Sequence, residues 1–464
     1  MALRRAVLLL RRPATRFPHM RAHSTAAGAV KSEEARRIEE EAIKSVTPEK
    51  RKQLEALLVK NAEYKPEKIA PLWSFLGSSP HERGETVDLS QEEILALLET
   101  EEEPVMDALF HHADSVTSRF FGAKIHFRGL LEFSNVCQKD CGYCGIRKSL
   151  DTVHRYTMMK REIIDEALWA FDTGYGSIML QSGELPVEQR LRSMEHVIRE
   201  IKRLSKEREA EKTGKPVEEC RGLGIALSLG ELDREWYQRL FDAGAHRYLL
   251  RIETSSPELY AELHPADHSW HRRVECLHNL RDIGFQVGTG VMVGLPGQTK
   301  RDLAGDVRFF KELRADMVGM GPYVLQEDTP VGQRWMELHP EHKDPEGKKR
   351  LQEEAFELTT RMLALTRVVC GNVNIAATTA LQAINPGGRE IALNRGANLM
   401  MPIITPLKYR ADYQLYENKP CIDEASTECR GCLTMRINLA GKQIAWNEWG
   451  DPPHYFGDEA VVNN

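Results

Sequence analysis

The pattern of this chain predicts an α/β fold: a complete parallel (β/α)8 barrel, with a helical extension before it and a cysteine-bearing segment after it. Two observations carry that expectation. Eight short runs rich in apolar and β-branched residues alternate with amphipathic, helix-like stretches. Polar and small residues gather where those runs end, which in a parallel barrel is the face that carries function. A doubly wound open sheet is the alternative for the same alternation.

Taken in order, residues 1–30 contain Arg4, Arg5, Arg11, Arg12, Arg16 and Arg21 and no acidic residue before Glu33. Such an Arg-rich, acid-free leader is expected of a transit peptide addressed to a mitochondrion, a hydrogenosome or a plastid. A secretory signal fits less well, because the apolar run Ala6 to Leu10 is short and Arg11-Arg12 interrupts it. Residues 31–88 read as a charged helical extension from Ser32 to about Lys60, expected to be solvated, followed by a Pro-containing linker. Ser90 with Glu92 and Glu93 in the next turn marks a helix start, and the barrel is expected over 89–404.

The spacing predicts strands over Lys124 to Phe133, Ser177 to Gln181, Gly224 to Leu229, Arg247 to Glu253, Gln286 to Val293, Met317 to Val324, Val373 to Thr379 and Asn398 to Ile404. Helices are expected over Ile163 to Thr173, Glu188 to Arg208, Arg234 to Ala243, His271 to Ile283, Lys300 to Arg314 and Gln352 to Val369. The charged stretch Glu207 to Arg221 reads as a surface insertion, and residues 405–464 form the C-terminal segment.

Composition narrows the classes. A net charge of −6 gives no electrostatic basis for binding nucleic acid. No run approaches the roughly 20 apolar residues that span a bilayer. Nine cysteines, six of them in two groups and Cys220, Cys276 and Cys370 scattered, do not suit a disulfide-stapled secreted domain.

The first expected strand runs into Cys137, Cys141 and Cys144, a C-x3-C-x2-C run. Three thiolates from one short loop can hold three irons of a [4Fe-4S] cluster, leaving the fourth iron open to chelate a small molecule, usually S-adenosylmethionine (SAM). Structural zinc would want four closing ligands, and buried free thiols would not sit among Asn135, Gln138, Lys139, Asp140 and two glycines. The second strand ends in Gln181-Ser182-Gly183-Glu184, flexible backbone beside a carboxylate that can accept an ammonium group. The third runs into Ser228 and the fourth into Arg251-Ile252-Glu253, where alternation puts the two charges on one face. They form either a structural salt bridge or a ligand pair, with Glu253 accepting from a ribose or amine and Arg251 or Arg272 gripping a carboxylate. Thr378 and Thr379 at the seventh strand's end are neutral donors suited equally to packing. Near the C-terminus, Cys421, Cys429 and Cys432 suggest a second iron-sulfur cluster, or zinc completed by a distant histidine.

Through FSNVCQKDCGYCGIRK, MLQSGE, LLRIETSSPELYAELHP, VMVGLPGQT, MVGMGPY, NIAATTA, NPGGREI and GANLMMP, most of residues 89 to 440 resembles the HydE family, the radical-SAM maturases of [FeFe]-hydrogenase within the biotin synthase-like group. The C-x7-C-x2-C tail discriminates best, because many radical-SAM enzymes share only the first triad. The resemblance implies a TIM-type radical-SAM barrel in which Cys137, Cys141 and Cys144 hold a [4Fe-4S] cluster. It implies that Tyr143 lies against adenine and that Gln181, Ser182, Gly183, Glu184, Ser228, Glu253 and Arg272 contact SAM. Arg251, Glu253 and Thr378 would face the substrate in the lumen. Cys421, Cys429 and Cys432 would carry a [2Fe-2S] or [4Fe-4S] cluster.

The implied activity is reductive cleavage of SAM to a 5'-deoxyadenosyl radical, acting on a cysteine-bound iron-carbonyl-cyanide species during assembly of the hydrogenase diiron site. That substrate would come from HydG, with HydF as a further maturase and a ferredoxin-type reductant. Ser182 departs from the Gly-Gly-Glu common in radical-SAM proteins, and Ile252 and His264 stand where some relatives have His and Arg. Another biotin synthase-like enzyme, of the methylornithine synthase type, and a non-catalytic iron-sulfur scaffold are the alternatives.

Overall fold

The computed structural model describes residues 32–53, 84–417 and 419–456. The leader expected at 1–30 and most of the extension's second half with its linker, residues 54–83, lie outside the described residues. Eleven strands follow in chain order: β1 Lys124–Ser134, β2 Ser177–Ser182, β3 Gly224–Ser228, β4 Arg247–Leu249, β5 Gln286–Thr289, β6 Met292–Val293, β7 Met317–Val318, β8 Gly321–Pro322, β9 Asn374–Ile375, β10 Leu399–Met400 and β11 Gln443–Ile444. Eight of them pair in parallel in the order β10-β1-β2-β3-β4-β5-β7-β9.

The ring closes between β9 and β10, where Asn398 N donates to Ile375 O at 3.0 Å and Ala377 N to Leu399 O at 2.9 Å. Side chains reinforce that seam. Asn398 Oδ1 accepts from Ile375 N and from Arg367 Nη2, each at 2.8 Å, and Asn398 Nδ2 donates to Asn374 Oδ1 at 2.8 Å. The barrel is therefore complete, and the open-sheet alternative falls away.

Every expected strand lies in the barrel, but the later ones pair over fewer residues than their composition predicts. β4 stops at Leu249, because the chain beyond it turns until Glu253 sits at φ 65° with its N–H on Gly290 O at 2.9 Å. The expected fifth and sixth strands each break into two pieces, with β6 and β8 pairing as a separate ribbon. At Gly290 a Cβ would run into the Gly319 carbonyl, so the two backbones cross too closely for side chains.

The six expected helices appear as Lys160–Asp172, Glu188–Thr213, Arg234–Asp242, Trp270–Ile283, Lys300–Glu312 and Pro345–Cys370. The second runs past Arg208 and ends at Gly214, whose φ of 71° suits only a glycine-like cap; the exposed residues after it form the expected surface insertion. The barrel-opening helix Gln91–Glu99 starts with a full capping box between Ser90 and Glu93.

The N-terminal helix Glu33–Lys44 is not solvated all round. Ile38 and Ala42, four residues apart, bury against the C-terminal helix Ser426–Leu439, and Ser45 Oγ donates to Thr427 O at 3.1 Å. Its charges mask a two-residue apolar stripe that composition alone reads as solvent-facing. No described helix is long and apolar enough to cross a membrane.

Candidate active site at the carboxyl ends of the strands

The loop after β1 is held by a dense set of hydrogen bonds. Arg155 donates to the carbonyls of Asn135, Ile146, Arg147 and Leu150 at 2.6 to 3.0 Å. Asn135 Nδ2 donates to His154 O and Asp412 O, and Asp140 pins Arg147 and Ser149. Gly183 packs so closely that a Cβ would sit 2.6 Å from Val136 O and 2.8 Å from Cys137 Cβ. These bonds hold Cys137, Cys141 and Cys144 half-buried on one rigid loop.

The donor set fits an iron-sulfur core. Three thiols come from one loop; burial pushes all three up, Cys144 to about 12, and a cationic core among them would favour the thiolate form.

Glu184 is a hub. Its Oε2 accepts from Glu231 N at 3.0 Å, and its Oε1 lies 3.2 Å from His268 Nε2 and 3.9 Å from Lys139 Nζ. Burial pushes the carboxyl up, but His268 and Arg273 outweigh it and hold it below the usual carboxylate range. The other nitrogen of His268 lies 3.9 Å from Cys141 Sγ. Both carboxylate oxygens are thus engaged within the protein; in the Ser182-Gly183 backbone beside the cysteines, Gly183 N donates to Ser134 O at 3.0 Å and Gly183 O accepts from Ser182 Oγ at 2.9 Å. Gln181 Nε2 donates to Tyr413 OH at 3.2 Å, and Ser228 stands beside Gln181 in register on β3.

Arg272 is a correction. It turns outward to Asp233 at 3.0 Å and Glu275 at 3.1 Å, away from the lumen. Arg273 takes the inward place: it bonds Glu231 at 2.7 Å and Arg251 O, and stacks over Tyr260 with 5.7 Å between guanidinium and ring centre. Neighbouring residues on a helix point about 100° apart, so one step in register exchanges an outward arginine for an inward one. The signal was present in Ser269, which caps the helix by accepting from Arg272 N and thereby sets its phase. His268, Lys139 and Glu231 were also missed. They come from separate loops, and no local spacing joins them.

Tyr143 packs beside Leu259, Leu263 and Val331. His264 Nδ1 donates to Tyr260 O at 2.9 Å, since a carbonyl can only accept; Nε2 is then left to accept from the Tyr143 hydroxyl at 3.2 Å. Burial pushes His264 down to about 3, which keeps it neutral in that role. Glu253, buried and in a left-handed conformation, has Oε2 3.1 Å from Arg251 Nη2, an ion pair without hydrogen-bond alignment. Burial raises its carboxyl despite Arg251 and Arg273. Strain of this kind costs on the order of 1–3 kcal/mol and gathers where surroundings force a side chain into position. Thr378 Oγ1 is half-buried and donates to Met320 O at 3.0 Å.

The second triad lies away from this face, at the junction with the N-terminal helix. Cys429 and Cys432, three apart on the helix Ser426–Leu439, share a face, and Cys421 approaches on the preceding loop at φ 65°. Arg410 shapes that loop through Cys421 O at 2.9 Å, Ser426 Oγ at 2.9 Å and Glu424 O. The neighbouring Cys429 holds the Cys421 thiol below its usual range.

Comparisons with known proteins agree with this architecture. Residues 131–310 match the Radical SAM superfamily. The chain is 38% identical over 375 residues to the [FeFe] hydrogenase maturase subunit HydE of Thermotoga maritima, covering 81% of this chain and 97% of that protein. It is 26% identical over 334 residues to a biotin synthase of Streptomyces coelicolor, covering 71% of each. Among solved structures, a methylornithine synthase superposes with a TM-score of 0.59 at 20% identity, covering 78% of this chain and 95% of that one. HydG, a maturase of the [FeFe]-hydrogenase, gives 0.54 at 17% identity over 77% and 72%. These last two speak for the fold.

Proposed function

Because the chain belongs to the HydE family of radical-SAM enzymes, we propose that it cleaves SAM reductively to a 5'-deoxyadenosyl radical and directs that radical at a cysteine-bound iron-carbonyl-cyanide precursor of the hydrogenase diiron site. The observation that carries the proposal is the rigid loop presenting Cys137, Cys141 and Cys144 beside the Glu184 hub at the open end of a complete barrel. A [4Fe-4S] cluster and SAM, which the family implies, supply an electron and the radical when bound there.

The chain's own residues orient and enclose. Glu184 orients His268, whose other nitrogen lies beside Cys141 and helps to position it. The Ser182-Gly183 backbone offers carbonyls to an ammonium group. Arg273 places a permanent positive charge next to Glu253 and Arg251, suited to a carboxylate in the lumen. Tyr143, anchored by neutral His264, supplies a flat apolar wall for an aromatic base. Thr378 and Ser228 add neutral hydroxyls near the strand ends.

In this scheme HydG supplies the substrate, HydF is a further maturase and a ferredoxin-type donor provides electrons. A second iron-sulfur cluster at Cys421, Cys429 and Cys432 is part of the proposal, as is import into a mitochondrion or hydrogenosome directed by the Arg-rich leader. Anaerobic reconstitution with iron and sulfide, followed by dithionite and SAM, should release 5'-deoxyadenosine, with none from Cys144→Ala. No release from the native chain with its first cluster verified intact would overturn the reading in favour of a scaffold.

A further inference from the structure

We propose that Cys141, His264 and His268 form a mononuclear site for a thiophilic divalent cation of the zinc or iron(II) class, filled while the first cysteine triad carries no cluster. Cys141 serves both, so the two occupants exclude each other; that exclusion, but not the site itself, rests on the cluster reading of the triad. One ligand atom from each of the three residues lies within 4.8 Å of the other two. Ligands about 2.0–2.3 Å from a tetrahedral ion stand roughly 3.3–3.8 Å apart, so the set closes on a metal by a shift of about 1 Å. His264 and His268 are an H-x3-H pair, a spacing at which zinc sites draw two histidines from one segment. The turn between them is fixed by His268 N donating to Pro265 O at 2.8 Å, and it brings the ring centres to 5.8 Å. Gly142 N donates to Leu263 O at 2.8 Å, which fastens the residue after Cys141 to the residue before His264.

Both imidazoles are prepared as ligands in the same way, each with an acceptor on the ring nitrogen that does not ligate. His268 Nε2 lies 3.2 Å from the Glu184 carboxylate, which only accepts, so its Nδ1 turns a lone pair toward Cys141 Sγ at 3.9 Å. While Cys141 is a thiol, its proton satisfies that lone pair. Once it is a thiolate, two lone pairs face each other and a cation between them satisfies both. His264 Nδ1 donates to Tyr260 O at 2.9 Å and leaves Nε2 to ligate, at the cost of one bond, that from the Tyr143 hydroxyl at 3.2 Å. The histidines are 7% and 5% exposed, and packing holds their rings in place. Glu184 and Glu231 lie 3.2 and 3.9 Å from His268 Nε2, so a dipositive ion meets carboxylate charge behind its ligands as well as the thiolate. Two imidazoles and one thiolate bind zinc(II) ahead of iron(II). Zinc held there leaves the triad one thiolate short of a cluster.

The test uses the full chain carrying Cys137→Ala and Cys144→Ala, which keeps Cys141 but lacks the thiolates for a cluster. A reference chain carries Cys141→Ala as well, and the metal it holds is that of the C-terminal cysteines. Each is prepared metal-free without oxygen and titrated with cobalt(II), a spectroscopic substitute for zinc, and then with zinc(II). The chain with Cys141 is expected to take one more cobalt than its reference, with the visible bands of a tetrahedral ion and a charge-transfer band from one thiolate, and zinc should bleach both. His264→Ala and His268→Ala should each weaken that extra ion at least about tenfold. Metal-free variants that melt with their parent separate ligand loss from misfolding; where one melts early, His264→Gln or His268→Gln takes its place. No extra cobalt, or an extra ion held as tightly by both histidine variants, overturns the site. In the chain with all its cysteines, zinc sufficient for both sites, added before iron and sulfide, should slow assembly of the first cluster at least about tenfold, and either histidine variant should relieve the block. No block, or one that neither variant relieves, overturns the exclusion. SAM cleavage is read in none of these arms, so either failure leaves the proposed activity standing.

Discussion

At the scale of single residues, the site turns on a few side chains whose neighbours leave them no alternative. Arg272 and Arg273 are chemically identical in the sequence, and only their phase on the helix separates them. Arg273→Ala would leave buried Glu231 uncompensated and should destabilise the chain by about 3–5 kcal/mol, with a loss of 5'-deoxyadenosine formation in whatever protein remains folded. Arg272→Ala removes a partly exposed pair and should change denaturant stability by less than about 1 kcal/mol and SAM cleavage by less than threefold. Asp306 gives a pH signature. It accepts from Ser255 N at 2.6 Å, but burial pushes its carboxyl from 3.8 to about 7. The folded chain therefore holds a proton that the unfolded chain lacks between those values. Stability from this group is fully present below about pH 4 and declines as pH rises to about 7, by an amount on the order of 4 kcal/mol. Asp306→Asn keeps the acceptor and should flatten the dependence of the unfolding midpoint on pH between 5 and 7; an unchanged slope would show that another group is responsible.

At the scale of elements, the barrel was legible because alternation of apolar runs with helical periodicity is a local property, and β1 to β3 match their expected bounds within a residue or two. The later strands were overestimated for a tertiary reason. Apolar residues such as Leu250, Ile252, Val291 and Val293 are buried whether or not their backbone joins the ladder, so composition cannot distinguish paired from bent segments. The N-terminal helix shows the opposite error. Its docking depends on a glycine in another element, Gly431, where a Cβ would collide with Ser45 Oγ and Ala42 O. Gly431→Ala should therefore loosen the helix Glu33–Lys44 by about 1–3 kcal/mol, read as faster amide exchange over residues 33–44. Because helix propensity favours alanine over glycine, an increase in protection would contradict the packing argument.

At the scale of the molecule, chemistry and stability occupy opposite ends of the barrel. The base is sealed by the chain following β11, none of which could be read from local pattern. Trp449 lies between Arg221 and His246, with centroid distances of 3.9 and 4.2 Å, and Gly450 O accepts from Asn374 at 2.9 Å. Asp451 then reaches inside to Arg247, Gln286 and Arg221. The cavity left above it, about 10 Å³ and lined by Arg128, Arg247 and Asp316 among others, has room for about one water. Removing Asp451 strands Arg247, which is 4% exposed and whose Nη1 already lacks a partner. Asp451→Ala should thus cost about 3–5 kcal/mol in denaturant stability and free the tail, seen as faster tryptic cleavage after Lys442. Iron retention at the first triad and 5'-deoxyadenosine formed per folded chain should stay within twofold, since the cysteine loop is braced by Arg155 and Glu184 at the far end. A parallel fall in cluster content would mean that the two ends are coupled through the strands, and the division between a chemical top and a stabilising base would have to be abandoned.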